Sequence, residues 1–135
     1  MKVSDVMTRD VRVAGPADTV AQVARQMSEI DAGVVPIMNG DAILGVITDR
    51  DIVIRVVGES RDSGIPVSQV MTTPVETCRQ DENLRDATRK MADLQMRRMV
   101  IVDDAGKLAG ILSLGDVALE ESARSVGHAL EKISE

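Results

Sequence analysis

The chain has 135 residues, 44% apolar and 28% charged, with a formal net charge of −6, a length that suits one compact domain or two small, closely packed halves. It has no basic tract and no Phe, Tyr or Trp, so it lacks both the positive footprint of a general nucleic-acid binder and the aromatic platforms that stack single strands. No apolar run approaches the roughly 18 residues of a membrane span. The opening MKVSDVMT has no apolar signal core, and a lone cysteine, Cys78, excludes an internal disulfide; together these predict a cytoplasmic protein.

In chain order, VSDVMT occupies 3–8 and is followed by Val11 and Val13 in a first extended stretch. Residues 19–31 place Val20, Val23, Ala24, Met27 and Ile30 on one stripe at helical spacing, with Thr19 and Gln22 as a capping box. VVPIM (34–38) and AILGVIT (42–48) flank the turn signal NGD and read as a hairpin. A helix is predicted over 49–57, ending at Gly58. GESRDSGIP (58–66) reads as a linker.

The chain then repeats itself. VSQVMT at 67–72 matches VSDVMT at an offset of 64, at which Val20 meets Leu84, Met27 meets Met91 and Ile37 meets Ile101. Past Asn39 the offset becomes 65, because DDAGK is one residue longer than its counterpart, and Gly45 then meets Gly110. Asn83 is the candidate cap of a second helix striped by Leu84, Ala87, Thr88, Met91 and Leu94. MVIV and LAGILS form the second hairpin, and a helix runs from 114 to about 126. Each half therefore reads β-α-β-β-α over about 60 residues, marginal alone. The predicted fold is α/β: two such repeats (1–62 and 63–120) packed with pseudo-twofold symmetry through their sheets, leaving inter-repeat clefts, with 121–135 a helical tail.

The repeat also duplicates a polar motif, GVITDRDI (45–52) and GILSLGDV (110–117). In both, a hydroxyl residue precedes an Asp by three positions: Thr48 and Asp51, Ser113 and Asp116. The spacing is that of a capping box, worth on the order of 1 kcal/mol and needing no ligand. It also lies at a strand-to-helix turn, where free amides and the helix dipole favour an anion. Gly45 and Gly110 permit close backbone approach. Both readings stay open, since one helix start can be capped and still meet a ligand. Arg is the natural phosphate partner because of its planar donor fork; the candidates are Arg50 inside the first motif, and Arg97 and Arg98 ahead of the second hairpin.

These duplicated segments, in this order and over about residues 1–120, resemble a pair of CBS domains (named for cystathionine β-synthase), of the small stand-alone bacterial kind. The resemblance implies a regulatory sensor rather than an enzyme, binding an adenine nucleotide (AMP, ADP, ATP, NAD(H), or S-adenosylmethionine) in clefts between the repeats, as in energy sensing, and forming a homodimer. It implies that Thr48 and Ser113 meet phosphate and that Asp51 and Asp116 meet ribose hydroxyls. The adenine walls it implies are Val11, Val13, Val34, Val35 and Pro36 in the first half, and Val75, Thr77, Met99 and Val100 in the second. The competing function is an interaction scaffold with degenerate sites.

A catalytic role has little to stand on. There is no P-loop, G-x-S-x-G or H-E-x-x-H, the one histidine, His128, allows no His-based metal cluster or triad, and Cys78 has no CxxC partner. No metal or catalytic cofactor is expected. The eight Met residues fill an aromatic-free core. In the last helix, apolar Val117, Leu119, Val126 and Leu130 are candidates for an oligomer or partner-protein contact.

Overall fold

The computed structural model describes residues 1–134; in the last helix the side chains of 125, 126 and 128–134 are not described, so His128, Val126 and Leu130 lie outside the described residues. In chain order the elements are α1 (Val20–Ile30), β1 (Val34–Asn39), β2 (Ala42–Thr48), α2 (Asp49–Asp51 continued by Ile52–Val57), β3 (Thr77–Arg79), α3 (Leu84–Asp93), β4 (Arg98–Val102), β5 (Leu108–Ser113) and α4 (Leu114–Ser134). No helix among the described residues is long and apolar enough to cross a membrane.

The local signals act as their chemistry requires. Thr19 and Gln22 form the reciprocal box, with Gln22 N donating to Thr19 Oγ1 at 3.1 Å and Thr19 N to Gln22 Oε1 at 2.8 Å. Asn83 caps α3 through Arg85 N at 2.9 Å. Both hairpin turns end on a glycine at positive φ, Gly40 at 60° and Gly106 at 79°, where a side chain would strain the backbone. β1 and β2 form an antiparallel two-stranded sheet; β3 runs parallel to β4, which pairs antiparallel with β5.

Two predicted elements come out differently. The first strand of the first half is reduced to a single parallel bridge, Ala14 against Ile37. Its extension is cut off by the turn that follows, where Gly15 N bonds Asp18 Oδ2 at 2.8 Å and Pro16 has no N–H to offer a ladder. The helix over 49–57 is present, but after one α turn it widens into a π-helix over Ile52–Val57. Its exit carries i to i−5 bonds, Gly58 N to Val53 O and Arg61 N to Val56 O, both 2.8 Å.

The chain divides into two compact units that do not follow the sequence repeats. One is 10–76; the other joins 1–9 to residues 77 onward. The predicted break at 62/63 therefore falls inside a unit. The reason is visible in the hydrogen bonds. In the first unit Val20 N, at the start of α1, donates to Ile65 O (3.0 Å) and Val67 N donates to Asp18 O (2.8 Å). In the second, Leu84 N donates to Met1 O (2.9 Å) and Val3 N to Glu82 O (3.0 Å). Each helix start thus takes its missing acceptors from a segment that the sequence places in the other repeat.

Each unit builds its core by period-two alternation in the strands and the apolar helix stripe. The first unit's cluster contains Val20, Val23, Met27, Val35, Ile37, Ile47, Val56, Val67 and Val70. The second contains Val3, Met7, Cys78, Leu84, Ala87, Met91, Met99, Ile101, Leu112 and Val117. Leu94, assigned above to the α3 stripe, is 42% exposed because the helix ends at Asp93. Val34 and Val46 in the first sheet, and Val100, Val102 and Ile111 in the second, are buried outside these clusters.

Candidate functional site

Both hydroxyl-x-x-Asp motifs fall where β2 and β5 hand over to α2 and α4. The strand must leave its pleat there, and the first helical amides lack intrahelical acceptors. Thr48 fills that need as a full capping box: Asp51 N donates to Thr48 Oγ1 at 3.0 Å, and Thr48 N donates to Asp51 Oδ2 at 3.0 Å. Ser113 accepts from Asp116 N at 3.0 Å. The cap uses one acceptor site of each hydroxyl; the O–H proton stays available to an anion.

The third component is not evident from the sequence. Thr72 O–H donates to both oxygens of Asp51, at 3.1 and 3.2 Å. Thr8 O–H points to Asp116 Oδ2 at 3.4 Å. These are the threonines of the two VMT segments, crossed between the repeats. Each segment is stitched to a strand by a reciprocal bond pair: Thr72 with Val46 at 2.7 and 3.0 Å, and Thr8 with Ile111 at 2.8 and 2.9 Å. This explains the motif glycines. A Cβ on Gly45 would lie 2.7 Å from Met71 Sδ and 2.9 Å from Thr72 O; on Gly110, 2.6 Å from Thr8 O and 2.8 Å from Met7 Sδ. The close approach that glycine allows is made by the chain itself. A repeated VMT spaced from a repeated glycine was the available signal, but a repeat alone cannot show which copy meets which.

The remaining predicted residues divide by placement. Arg50 and Arg97 are exposed. Arg98 lies directly across the β4–β5 ladder from Ser113, and Arg97 O accepts from Leu114 N at 2.9 Å, so this arginine pair flanks the second junction within its own unit. At the first junction the same register positions are held by Val34, opposite Thr48, and Gly33, whose carbonyl accepts from Asp49 N at 3.0 Å. Val34, Pro36 and Val100 are buried on the sheets; Val11, Val75 and Thr77 are half-buried, and Val13 is 43% exposed. Val35 and Met99 sit in the helix-side cores, with almost no surface.

Cys78 is 2% exposed, its Sγ 3.0 Å from Met99 Sδ. Burial, with Glu82 adding to it, pushes the thiol up to about 11, so at neutral pH it is protonated and unreactive. It lines an open cleft of about 520 Å³ with Thr77, Arg79, Asp81, Glu82 and Lys90. The cleft's polar groups are engaged with one another: Lys90 Nζ donates to Thr77 O, and Arg79 N to Glu82 Oε2, both at 2.6 Å.

Fold and junctions define a tandem α/β repeat protein with two matched polar helix starts. The CBS domain family matches twice, over residues 3–58 and 67–122, and the chain belongs to that family. It is 38% identical over 133 residues to the CBS domain-containing protein YhcV of Bacillus subtilis, covering 98% of this chain and 94% of that one. Among solved structures it resembles an uncharacterized conserved protein from Pyrococcus horikoshii, with 31% identity and a TM-score of 0.83, covering 90% of this chain and 91% of that one. It also shares its fold with the CBS domain protein PAE2072 of Pyrobaculum aerophilum, solved in complex with AMP, at 24% identity and a TM-score of 0.80 over 86% of this chain and 89% of that one.

Proposed function

We propose that the protein is a regulatory module that binds an adenine nucleotide at its strand-to-helix junctions and alters conformation or partner binding in response. The observation that carries this reading is the duplicated junction: at each strand-to-helix turn, a hydroxyl whose proton the cap does not use, followed three residues on by a carboxylate. In this reading Thr48 or Ser113 meets phosphate with Arg50, Arg97 or Arg98, and the carboxylate of the same junction, Asp51 or Asp116, accepts ribose hydroxyls. Val11, Val13, Val75 and Thr77 are the wall candidates that retain access, while Val34, Pro36 and Val100 are buried on the sheets. Val35 and Met99 act through the cores behind them. The shared fold with an AMP-bound CBS protein is compatible with this chemistry.

Calorimetry with AMP, ADP, ATP, NAD(H) and S-adenosylmethionine tests the reading; silence with all of them at millimolar concentration would end it. Lacking Trp and Tyr, the protein absorbs little at 280 nm, so co-purified nucleotide would show directly in an absorbance spectrum.

A homodimer belongs to the same proposal. The π-helical turn leaves Val53 60%, Ile54 49% and Val57 69% exposed, an apolar face better suited to a second surface than to water. Leu119 on α4 is 72% exposed, whereas Val117 is 4% exposed in the core and unavailable for such a contact. The same faces support the scaffold reading, in which the junctions serve only as caps. Light scattering with Val53→Asp would show whether this turn holds an assembly together; an unchanged mass would remove it as a contact.

A further inference from the structure

We propose that the two junctions are unequal because Arg55 occupies the Asp51 carboxylate from within the chain, leaving Asp116 as the carboxylate that takes the nucleotide. The inference rests on the nucleotide reading above and assigns its site. An ionised carboxylate offers about four acceptor positions across its two oxygens, and a ribose diol needs one on each oxygen. At Asp51 both oxygens are already engaged. Oδ2 accepts Thr48 N at 3.0 Å and Thr72 O–H at 3.2 Å, and Oδ1 accepts the same hydroxyl at 3.1 Å. Arg55 Nε then stands 3.8 Å from Oδ1.

Arg55 is itself anchored by bonds from Nη1 to Val70 O and Met71 O, each 3.2 Å. These carbonyls belong to the same VMT segment that supplies Thr72. The guanidinium therefore joins segment to carboxylate, and Asp51 is only 9% exposed beneath it.

The closure at Asp116 is looser among the described residues. At the offset of 65, Arg55 becomes Glu120, which supplies no donor and repels the carboxylate one helical turn away. Thr8 reaches Oδ2 alone and at 3.4 Å, longer than the 3.1 and 3.2 Å at which Thr72 bridges both Asp51 oxygens. Ser113 caps Asp116 N at 3.0 Å, but the return bond that Asp51 makes to Thr48 N has no counterpart among the described residues. Asp116 is half-buried, so its carboxylate remains reachable. It also has the arginine pair beside it, with Arg98 across from Ser113, where the first junction has Gly33 and Val34. Vicinal hydroxyl donors and a phosphate are the ligand groups that complement this arrangement.

The test is AMP binding by equilibrium dialysis on the full chain and its variants. The wild type takes up one AMP per chain more tightly than a second; Asp116→Ala weakens that uptake at least tenfold, and Asp51→Ala leaves it within a few-fold. Arg55→Gln, which removes the charge and keeps a similar length, strengthens a weaker second AMP uptake up to about fivefold; Arg55→Met stands in if Arg55→Gln is poorly folded by circular dichroism. Two equivalent sites in the wild type, loss through Asp51→Ala with Asp116→Ala intact, or a second uptake unchanged in both Arg55 variants would overturn the assignment and leave the nucleotide reading standing. No AMP uptake by the wild type or any variant overturns the assignment together with that reading.

Discussion

The Asp51 and Asp116 junctions use the same parts in the same order, yet one is shut and the other slack. Around Asp51, a reciprocal cap, a two-pronged threonine and an arginine converge on one carboxylate. Around Asp116, a one-way cap and a long threonine contact remain. Duplication supplied two equal frames, and a handful of side chains then set their difference. The glycines belong to the frame; Arg55 against Glu120 belongs to the difference.

The largest expected effects come from breaking the frame. Gly110→Ala would drive a Cβ to 2.6 Å from the Thr8 carbonyl, and Gly45→Ala to 2.9 Å from the Thr72 carbonyl and 2.7 Å from flexible Met71 Sδ. Overpacking costs typically about 1–3 kcal/mol and more when backbone must move. Gly110→Ala should therefore lose about 3 kcal/mol or more in urea unfolding, and Gly45→Ala measurably less. Two neutral substitutions would mean that the VMT segments are not held where they lie against the strands.

The cores differ in one titratable group. Cys78 holds its proton to about pH 11 when folded against 9.0 when free, through burial first and Glu82 second. The sign follows from linkage: the unfolded chain releases this proton first, so the stability it confers is whole below pH 9 and is lost as pH rises through the folded value. Across that window the second unit should lose roughly 2–3 kcal/mol that a Cys78→Ala variant does not. The first unit has Ala14 at the matching position and gives a built-in reference. Parallel stability profiles for wild type and Cys78→Ala would refute the buried-thiol account. A thiol reagent at pH 8 should also label Cys78 only on unfolding.

Next in size is the contrast between the two threonines. Thr72→Val removes both hydroxyl contacts to a buried carboxylate and should cost about 1–2 kcal/mol. Thr8→Val removes one long, exposed contact and should cost a few tenths at most. Equal losses in thermal unfolding would mean that the two junctions are equally closed.

Much of the architecture was legible because it rests on local chemistry. The Thr19–Gln22 box, the Asn83 cap, the glycine turns and the apolar strand runs that flank them are decided by neighbours within a few residues. The family followed from the order of duplicated motifs. What sequence could not show was non-local. A repeat gives two copies of VMT and two of Gly-x-x-hydroxyl-x-x-Asp, but not their pairing; that depends on Val3, Met7, Val67 and Val70 finding their cores. For the same reason the compact units cross the repeat boundary at 62/63, although the two family matches fall on either side of it. Arg55 was visible one turn beyond Asp51, but its anchoring carbonyls lie 15 and 16 residues away, so its hold on the carboxylate was not. Val35 and Met99 share strands with Val34, Pro36 and Val100, which are buried outside the helix-side cores, and only strand phase separates them.

The smallest expected effect concerns Arg55 and is the most informative about the comparison. Its ion pair with Asp51 spans 3.8 Å, and its side chain is 47% exposed, so solvent screening limits its worth to about 0–1 kcal/mol. The two carbonyl bonds add little more at that exposure. A double-mutant cycle with Arg55→Ala and Asp51→Asn should therefore give a coupling below about 1 kcal/mol that shrinks as salt is raised. This weakness is what lets an internal occupant differ from a structural pin: a contact of that size can hold a carboxylate against weak competitors, and its removal leaves the fold in place. A coupling several times larger, or one indifferent to salt, would make Arg55 part of the frame. The two junctions would then differ in stability rather than in readiness to bind.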